Sequence, residues 1–213
     1  MLLKDLVKLV EMPEYIDREL AREEPEQRRV SMEAFDREYQ MLSKYNVNTG
    51  GEVTTVVTGI RNDKAAAISG ELRKDEKEDR WYVEIQIQLE FHNGVPTSEL
   101  KGNVIQVDVV IASPSIKSQG QGYNLYKALI DNGYTLLSDN CQYIGGRKLW
   151  DKVIRKAVGE GYKVYVLKGE QLIRDANGNP IAFDGSNIPH DQIWGKPGSL
   201  DHHHTLLVAT KSI

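Results

Sequence analysis

The 213-residue sequence has one cysteine and no long apolar run, and each shortage excludes a class of protein. Because Cys141 has no second cysteine to pair with, the chain forms no internal disulfide, which fits the reducing cytoplasm. No apolar run reaches the length of a membrane-spanning helix, so we expect no membrane partner. Residues 1–12 are short and charged and lack a small-residue cleavage site, which argues against a signal peptide.

An excess of positive charge is also missing. The chain has 27 Lys and Arg against 31 Asp and Glu, a formal net charge of −4. Binding to nucleic acid through overall charge needs clustered cations, so this balance argues against it without excluding a local basic patch. The 40% hydrophobic content is sufficient for a packed core in one large domain with an extension.

The N-terminal part of the chain is rich in charge and has helical apolar spacing. We predict helices in 2–10, 14–24 and 31–45, with Met12-Pro13 ending the first. The predicted division is a helical segment, 1–46, packed on a domain, 47–213, whose tail becomes irregular from about residue 168.

The next part of the sequence predicts antiparallel strands. Residues 52–60 and 65–72 are rich in Val, Thr and Ala and flank a turn at Asn62-Asp63, which is typical of a hairpin. In 81–91 apolar and polar residues alternate strictly, as in a strand with one polar face.

Residues 105–139 change the pattern to strand, glycine-bearing loop, helix and strand. Gly120 and Gly122 lie just before the predicted helix, where backbone N–H groups at a helix N-terminus favour an anion. Asn132-Gly133 ends this helix, and 134–137 is a short strand. A second helix begins at Gly145-Gly146, followed by a strand at 162–167, a turn at Asn177-Gly178 and a last strand near 205–210.

This order predicts an α+β fold with a mixed, mostly antiparallel sheet flanked by helices. It resembles the GNAT superfamily of N-acetyltransferases over about 52–167. The family's coenzyme A loop commonly reads Pro-x-x-Arg/Gln-x-x-Gly-x-Gly/Ala-x-x-Leu, and this chain has Pro114, Lys117, Gly120, Gly122 and Leu125 there. Lys117 replaces the usual Arg or Gln.

The resemblance implies a three-layer GNAT-like fold and acetyl-CoA as co-substrate. Loop N–H groups would hold the pyrophosphate, and strand carbonyls would hold the pantetheine. The implied cofactor-binding residues are Ile111, Ser113, Lys117, Ser118, Gln119, Gly120, Gln121, Gly122 and Tyr123. Two alternatives remain: the glycines serve only a tight turn, or the loop binds a dinucleotide, although Leu125 stands where that fingerprint needs a third glycine.

The catalytic residues are less well defined. Many family members use a tyrosine on the second helix as general acid, but here Trp150 lies at the approximate position, and an indole only donates hydrogen bonds. Tyr143 or Tyr126 could replace it, although packing is the simpler role for each.

A carboxylate beside the predicted cleft could deprotonate the attacking amine. The candidates, in order, are Asp139, Glu90 and Asp108. Cys141 is either a buried thiol or a nucleophile that has no histidine nearby in sequence.

Two further motifs allow a metal or a plain alternative. Residues 175–179 begin like a calcium loop, but Pro180 occupies the position that needs glycine, which favours a hairpin turn. The histidines at 202–204, with His190, could bind a metal or form a solvated patch. The sequence therefore predicts no metal site.

Two functions follow from these patterns. The first is an acyl-CoA-dependent transfer of acetyl to an amine of an unknown acceptor, which is a small molecule, a protein or, less favoured, a nucleic acid. The second is a non-catalytic binding, structural or inhibitor protein on the GNAT fold. Residues 136–153 also look like divergent GNAT-like proteins of bacteriophages.

Overall fold

The computed structural model describes residues 29–49, 52–64, 66–74, 79–90, 99–112, 120–139, 144–194 and 205–213. Three α-helices lie in these residues, α1 (Met32–Glu38), α2 (Gln121–Asp131) and α3 (Ile144–Glu160), with a 3-10 helix at His190–Gln192. The strands are β1 (Arg29–Ser31), β2 (Tyr39–Thr49), β3 (Glu52–Arg61), β4 (Ala66–Lys74), β5 (Asp79–Glu90), β6 (Asn103–Ala112), β7 (Tyr134–Leu137), β8 (Lys163–Lys168), β9 (Gln171–Leu172) and β10 (Thr205–Thr210).

All ten described strands form one mixed sheet, in the order β2-β3-β4-β5-β6-β7-β10-β8-β9, with β1 beside β5. Strands β2 to β6 are a purely antiparallel meander. Strands β6 and β7 are parallel and joined through α2, whereas β10 lies antiparallel between β7 and β8. The predicted α+β class, with a mixed and mostly antiparallel sheet, is confirmed.

Both long helices cover the same face of the sheet. The core on that face contains Leu125 and Leu129 of α2, Val153 of α3, Ile105 of β6 and Leu207 of β10, all at most 2% exposed. One face is shared because both crossovers, β6–α2–β7 and β7–α3–β8, run in the same direction along the sheet, and such crossovers are right-handed. A smaller apolar cluster of Leu137, Tyr165, Leu167, Leu172 and Val208 is separate from this core.

The predicted strands and turns of the two halves agree with the structure. The hairpin at 52–72 corresponds to β3 and β4, which pair from Thr55 opposite Leu72 to Ile60 opposite Ala67. Helix α2 is followed by Gly133 in the left-handed conformation, with φ of 84°, where glycine lacks the Cβ penalty. At 175–179 the chain forms the predicted turn, in which Asp175 Oδ1 accepts the N–H of Asn177 and Asn179.

The predicted helix at 31–45 is wrong from Tyr39 onward. Helix α1 ends at Glu38, and Tyr39–Thr49 forms β2, so the predicted division at residue 46 falls within a strand. Phe35, Tyr39 and Leu42 lie at i, i+4 and i+7, a spacing that fits a continued helix as well as the observed strand. Phe35 is instead buried against Gly59, where an added Cβ would lie 2.7 Å from its ring. The helices predicted at 2–10 and 14–24 lie outside the described residues.

No helix in the described part of the chain is both long enough and apolar enough to cross a membrane.

Candidate functional site

The parallel strands β6 and β7 separate at their carboxyl ends. Their pairing ends at Gln106 opposite Leu137, whereas β6 continues to Ala112, paired only with β5 among the described strands. The chain after β7 stays beside β10, because Ser138 N–H donates to the Leu207 carbonyl at 2.9 Å. The buried Gln106 side-chain amide links β6 to the residue after β7, because it donates to the Ser138 carbonyl at 3.1 Å. The carboxyl half of β6 therefore has no β7 partner, and the carboxyl ends of parallel strands are where open sheets commonly bind ligands.

Helix α2 begins near the carboxyl end of β6 with backbone N–H groups whose hydrogen bonds no residue of the helix itself can accept. Gly120 lies before the helix with φ of 72°, and no side chain caps the N-terminus. The first helical hydrogen bond is from Asn124 N–H to the Gly120 carbonyl at 3.2 Å, so the N–H groups of 121–123 have no helical acceptor. The first turn has no acidic residue.

Lys152 of α3 places a positive charge at this helix start. Its Nζ lies 5.4 Å from the centroid of the Tyr123 ring. A Cβ built on Gly120 would lie 2.5 Å from the same atom. Glycine at this position therefore permits the positive φ and also leaves space for the Lys152 ammonium. No carboxylate among the described residues forms an ion pair with Lys152. An ammonium and a helix N-terminus are both positive, so together they favour an anion.

Two polar contacts hold the start of α2 against the meander. Ser69 of β4 donates to Gln121 Oε1 at 3.1 Å, and both side chains are buried. Asn124 Nδ2 donates to the Tyr45 hydroxyl of β2 at 3.2 Å. Burial raises the pKa of Tyr45, although hydrogen bonds from Asn124 and Ser69 oppose this effect. Sequence reasoning included Gln121 but missed Ser69, Tyr45 and Asn124, because nothing local in the sequence links β2 or β4 to α2.

The three candidate bases lie around the separating strands. Asp139 is half-buried directly after β7, and the exposed Asp108 is on the part of β6 beyond β7. The backbone of Glu90 pairs with Gln106, the last β6 residue opposite β7. The catalytic role of all three stays a prediction. Asp139 is the nearest of them in sequence to the end of β7.

The tyrosine route to a general acid is not supported by the packing. Trp150 is 1% exposed and meets Tyr126 edge to face, with 5.6 Å between ring centroids. Burial, and secondarily the charge of Asp139, raises the pKa of Tyr126 well above its ordinary value. A fully buried phenol of this kind is a poor proton donor near neutral pH. The predicted core role of Trp150 is confirmed, and Tyr143 and Cys141 lie outside the described residues.

The predicted cofactor residues divide into two groups. Gly120, Gln121, Gly122 and Tyr123 form the start of α2. Ile111 lies on the part of β6 that pairs with β5 and extends beyond β7. The remaining residues of that prediction, together with the histidines at 202–204, lie outside the described part of the chain: Ser113, Lys117, Ser118 and Gln119.

The described residues contain no group of side chains that could bind either of the metals considered as alternatives. No cluster of three His, Cys, Asp or Glu side chains able to hold a metal occurs there. His190 instead contacts Arg147, whose Nη2 lies 2.8 Å from the imidazole Nε2.

No protein-family model matches this chain, and no curated protein matches it either. A solved structure of an acetoin utilization protein from Exiguobacterium sibiricum 255-15 is similar to 82% of this chain and 88% of its own, with a TM-score of 0.40 and 9% sequence identity.

Proposed function

We propose that this protein is a GNAT-type N-acyltransferase that transfers acetyl from acetyl-CoA to an amine. The order of its elements supports the proposal. An antiparallel meander leads into β6, α2 and a parallel β7, and then α3 leads to β8 with β10 inserted between β7 and β8. In sequence, the glycine-containing motif at 114–125 follows β6 and runs into the first turn of α2, which is where the family has its coenzyme A motif.

The observation that carries the proposal is the uncapped start of α2 with a lysine ammonium over it. Three backbone N–H groups, a left-handed Gly120 and Lys152 Nζ share one place. Together they suit a pyrophosphate, since helix amides supply directed donors and the ammonium supplies a full charge. The separated edge of β6 next to this place supplies backbone groups for the pantetheine arm, as the family resemblance implies.

The proposed reaction is direct attack of the amine nitrogen on the thioester carbonyl. A new C–N bond forms, the C–S bond breaks, and coenzyme A leaves as a thiolate that takes a proton from solvent. Asp139, half-buried after β7, accepts the proton of the amine directly or through one water.

A second candidate, a protein that binds acyl-CoA without transferring the acyl group, is favoured by one observation. Trp150 and Tyr126 fill the position of the family's acid with buried, packed rings. Such a protein would bind acyl-CoA either to sense it or to sequester it.

Isothermal titration of acetyl-CoA tests the binding claim. We expect the native protein to bind and Gly120→Glu to lose binding, because the new carboxylate would pair with Lys152 and occupy the anion position. Gly161→Glu is the matched control: Gly161 also has a positive φ, 76°, but no atom within 4 Å of an added Cβ. Absence of binding up to about millimolar ligand, or equal loss in both variants, would overturn the proposal.

A thiol-release assay with a panel of small amines and lysine peptides separates the two candidates. Amine-dependent release of coenzyme A, reduced in Asp139→Asn with acetyl-CoA affinity retained, is the result expected of the transferase. Binding without release on any amine selects the non-catalytic candidate.

A further inference from the structure

The solvent side of α3 differs in charge from the rest of the molecule. Although the whole chain has a net charge of −4, this helix has five cations and only two acids, Asp151 and Glu160. Glu160 is already paired, with its Oε2 3.4 Å from Lys127 Nζ of α2. We name the remaining set the α3 basic face, and its cations are Arg147, Lys148, Lys152, Arg155 and Lys156.

The lysines and Arg155 of the α3 basic face lack carboxylate partners among the described residues. Several cations elsewhere are paired with carboxylates: Arg61 with Asp63, Arg174 with Glu99 and Lys211 with Asp131. The unpaired cations of α3 differ from single exposed lysines such as Lys44 and Lys101 in lying together on one helix. Even Arg155, one turn from Asp151, donates to the backbone carbonyl of that residue at 3.2 Å. Unpaired like charges on one helix face repel each other, and an external polyanion relieves that repulsion.

The spacing of three exposed cations and the half-buried Lys152 suits a phosphate backbone. Lys148, Lys152, Arg155 and Lys156 lie at i, i+4, i+7 and i+8, which places them on one side of the helix. The distance from the first to the last is about 12 Å along the axis. A stacked strand of nucleic acid has a phosphate roughly every 3.4 Å, so three or four phosphates fit along this length.

A cluster of planar groups adjoins the α3 basic face at its N-terminal end. The Arg147 guanidinium carbon lies 5.3 Å from the centroid of the half-buried Trp194 ring. His190, which is exposed, contacts Arg147 and lies 6.2 Å from Trp194 between ring centroids. Rings and guanidinium planes beside a basic groove are the groups on which unpaired bases stack. An acidic protein would use the charges but would have no use for these planes.

We propose that the α3 basic face, with Arg147, His190 and Trp194, binds single-stranded nucleic acid. The phosphates lie along Lys148, Arg155 and Lys156, and a base stacks on the planar cluster. The proposed acyl-CoA site shares Lys152 with this face, whereas Lys148, Arg155 and Lys156 belong to the face alone.

Fluorescence anisotropy with a labelled oligothymidylate of about 20 nucleotides, at about 50 mM salt, tests the proposal. The triple variant Lys148→Gln, Arg155→Gln, Lys156→Gln removes three charges and leaves Lys152 for acetyl-CoA. We expect its affinity to fall at least tenfold and its slope of log K against log salt to decrease by about 2. The matched control removes three exposed lysines elsewhere, by substitution with Gln at Lys44, Lys101 and Lys163, and should change affinity less than threefold.

Arg147→Lys separates stacking from charge, because it keeps the cation and removes the plane. We expect several-fold weaker oligonucleotide binding and less quenching of tryptophan fluorescence. No binding by the native protein, or equal loss in the two triple variants, would overturn the proposal. Equal competition by a polyglutamate peptide, with Arg147→Lys unchanged, would overturn nucleic acid as the partner.

Discussion

The two ends of α2 are built in opposite ways. At the C-terminal end, Asn132 N–H bonds to helix carbonyls, its side chain donates to Ala128 and Leu42, and Gly133 follows in the left-handed conformation. At the N-terminal end no side chain caps the helix, and a lysine lies where an acid would complement the dipole. The C-terminal end is thus capped by the protein's own groups, whereas the N-terminal end presents backbone N–H groups and a lysine that both favour an anion.

The charges follow the same division. Asp131, in the last turn of α2, has an unfavourable sign for a helix C-terminus but pairs with Lys127 and with Lys211, whose Nζ lies 2.8 Å from Oδ1. Lys152, at the other end, has no such partner among the described residues. An unfavourable charge is thus offset by ion pairs at one end and has no carboxylate partner among the described residues at the other.

The largest effect is expected from separating the start of α2 from the sheet. Ser69→Ala removes the donor to the buried Gln121 Oε1 and should lower the free energy of unfolding by about 1–3 kcal/mol. Urea denaturation measures the loss. Adding Gln121→Leu should recover much of it, because the stranded acceptor is then gone. Equal destabilisation with and without Gln121→Leu would show that this hydrogen bond does not hold the helix.

Removing the charge at the start of α2 should affect ligand binding and leave stability nearly unchanged. Lys152→Met should weaken acetyl-CoA binding about tenfold or more, as expected for a lost charge-assisted contact to phosphate. The control is Lys156→Met, one turn along α3 and exposed, which should alter affinity little. Calorimetry at low and high salt measures both. If the two variants bind alike, Lys152 does not contact the ligand.

At the C-terminal end of α2, Asn132→Ala should lower stability and leave ligand affinity unchanged, the opposite of Lys152→Met. It removes donors to Leu42 at 3.2 Å and Ala128 at 2.8 Å, which should cost about 1 kcal/mol of stability. Acetyl-CoA affinity should not change. A loss of affinity as large as that of Lys152→Met would contradict the division between the two ends.

The smallest effect concerns pH. Burial alone would raise the pKa of Asp131, but Lys127 and Lys211 hold it below its ordinary value of 3.8. A lowered folded-state pKa gives stability that is present above about pH 4 and lost as pH falls through the folded value. The stability difference between native and Asp131→Asn proteins should therefore narrow below pH 4, as measured by urea denaturation from pH 7 to pH 3. A constant difference would show that the ion pairs add nothing.

Local sequence patterns predicted most of the sheet. Strict alternation identified β5, and Asn132-Gly133 marked the end of α2, because both depend on neighbouring residues alone. Strand β2 was missed because Phe35, Tyr39 and Leu42 also fit a helix, and only pairing with β3 decides between the two. The place of Lys152 was unpredictable for a related reason: the packing of α3 on α2 brings it to Gly120 from 32 residues away.

The most direct test of the central claim compares the two ends of α2 by nuclear magnetic resonance. In ¹H–¹⁵N spectra titrated with acetyl-CoA, the amides of Gly120, Gly122 and Tyr123 should shift with one saturable binding constant. Inorganic pyrophosphate should move the same amides less. The amide signals of Asn132 and Gly133, at the C-terminal end of α2, should not shift. Shifts of equal size at both ends, or none at the N-terminal end when ligand is saturating, would contradict the claim that α2 begins at an anion site.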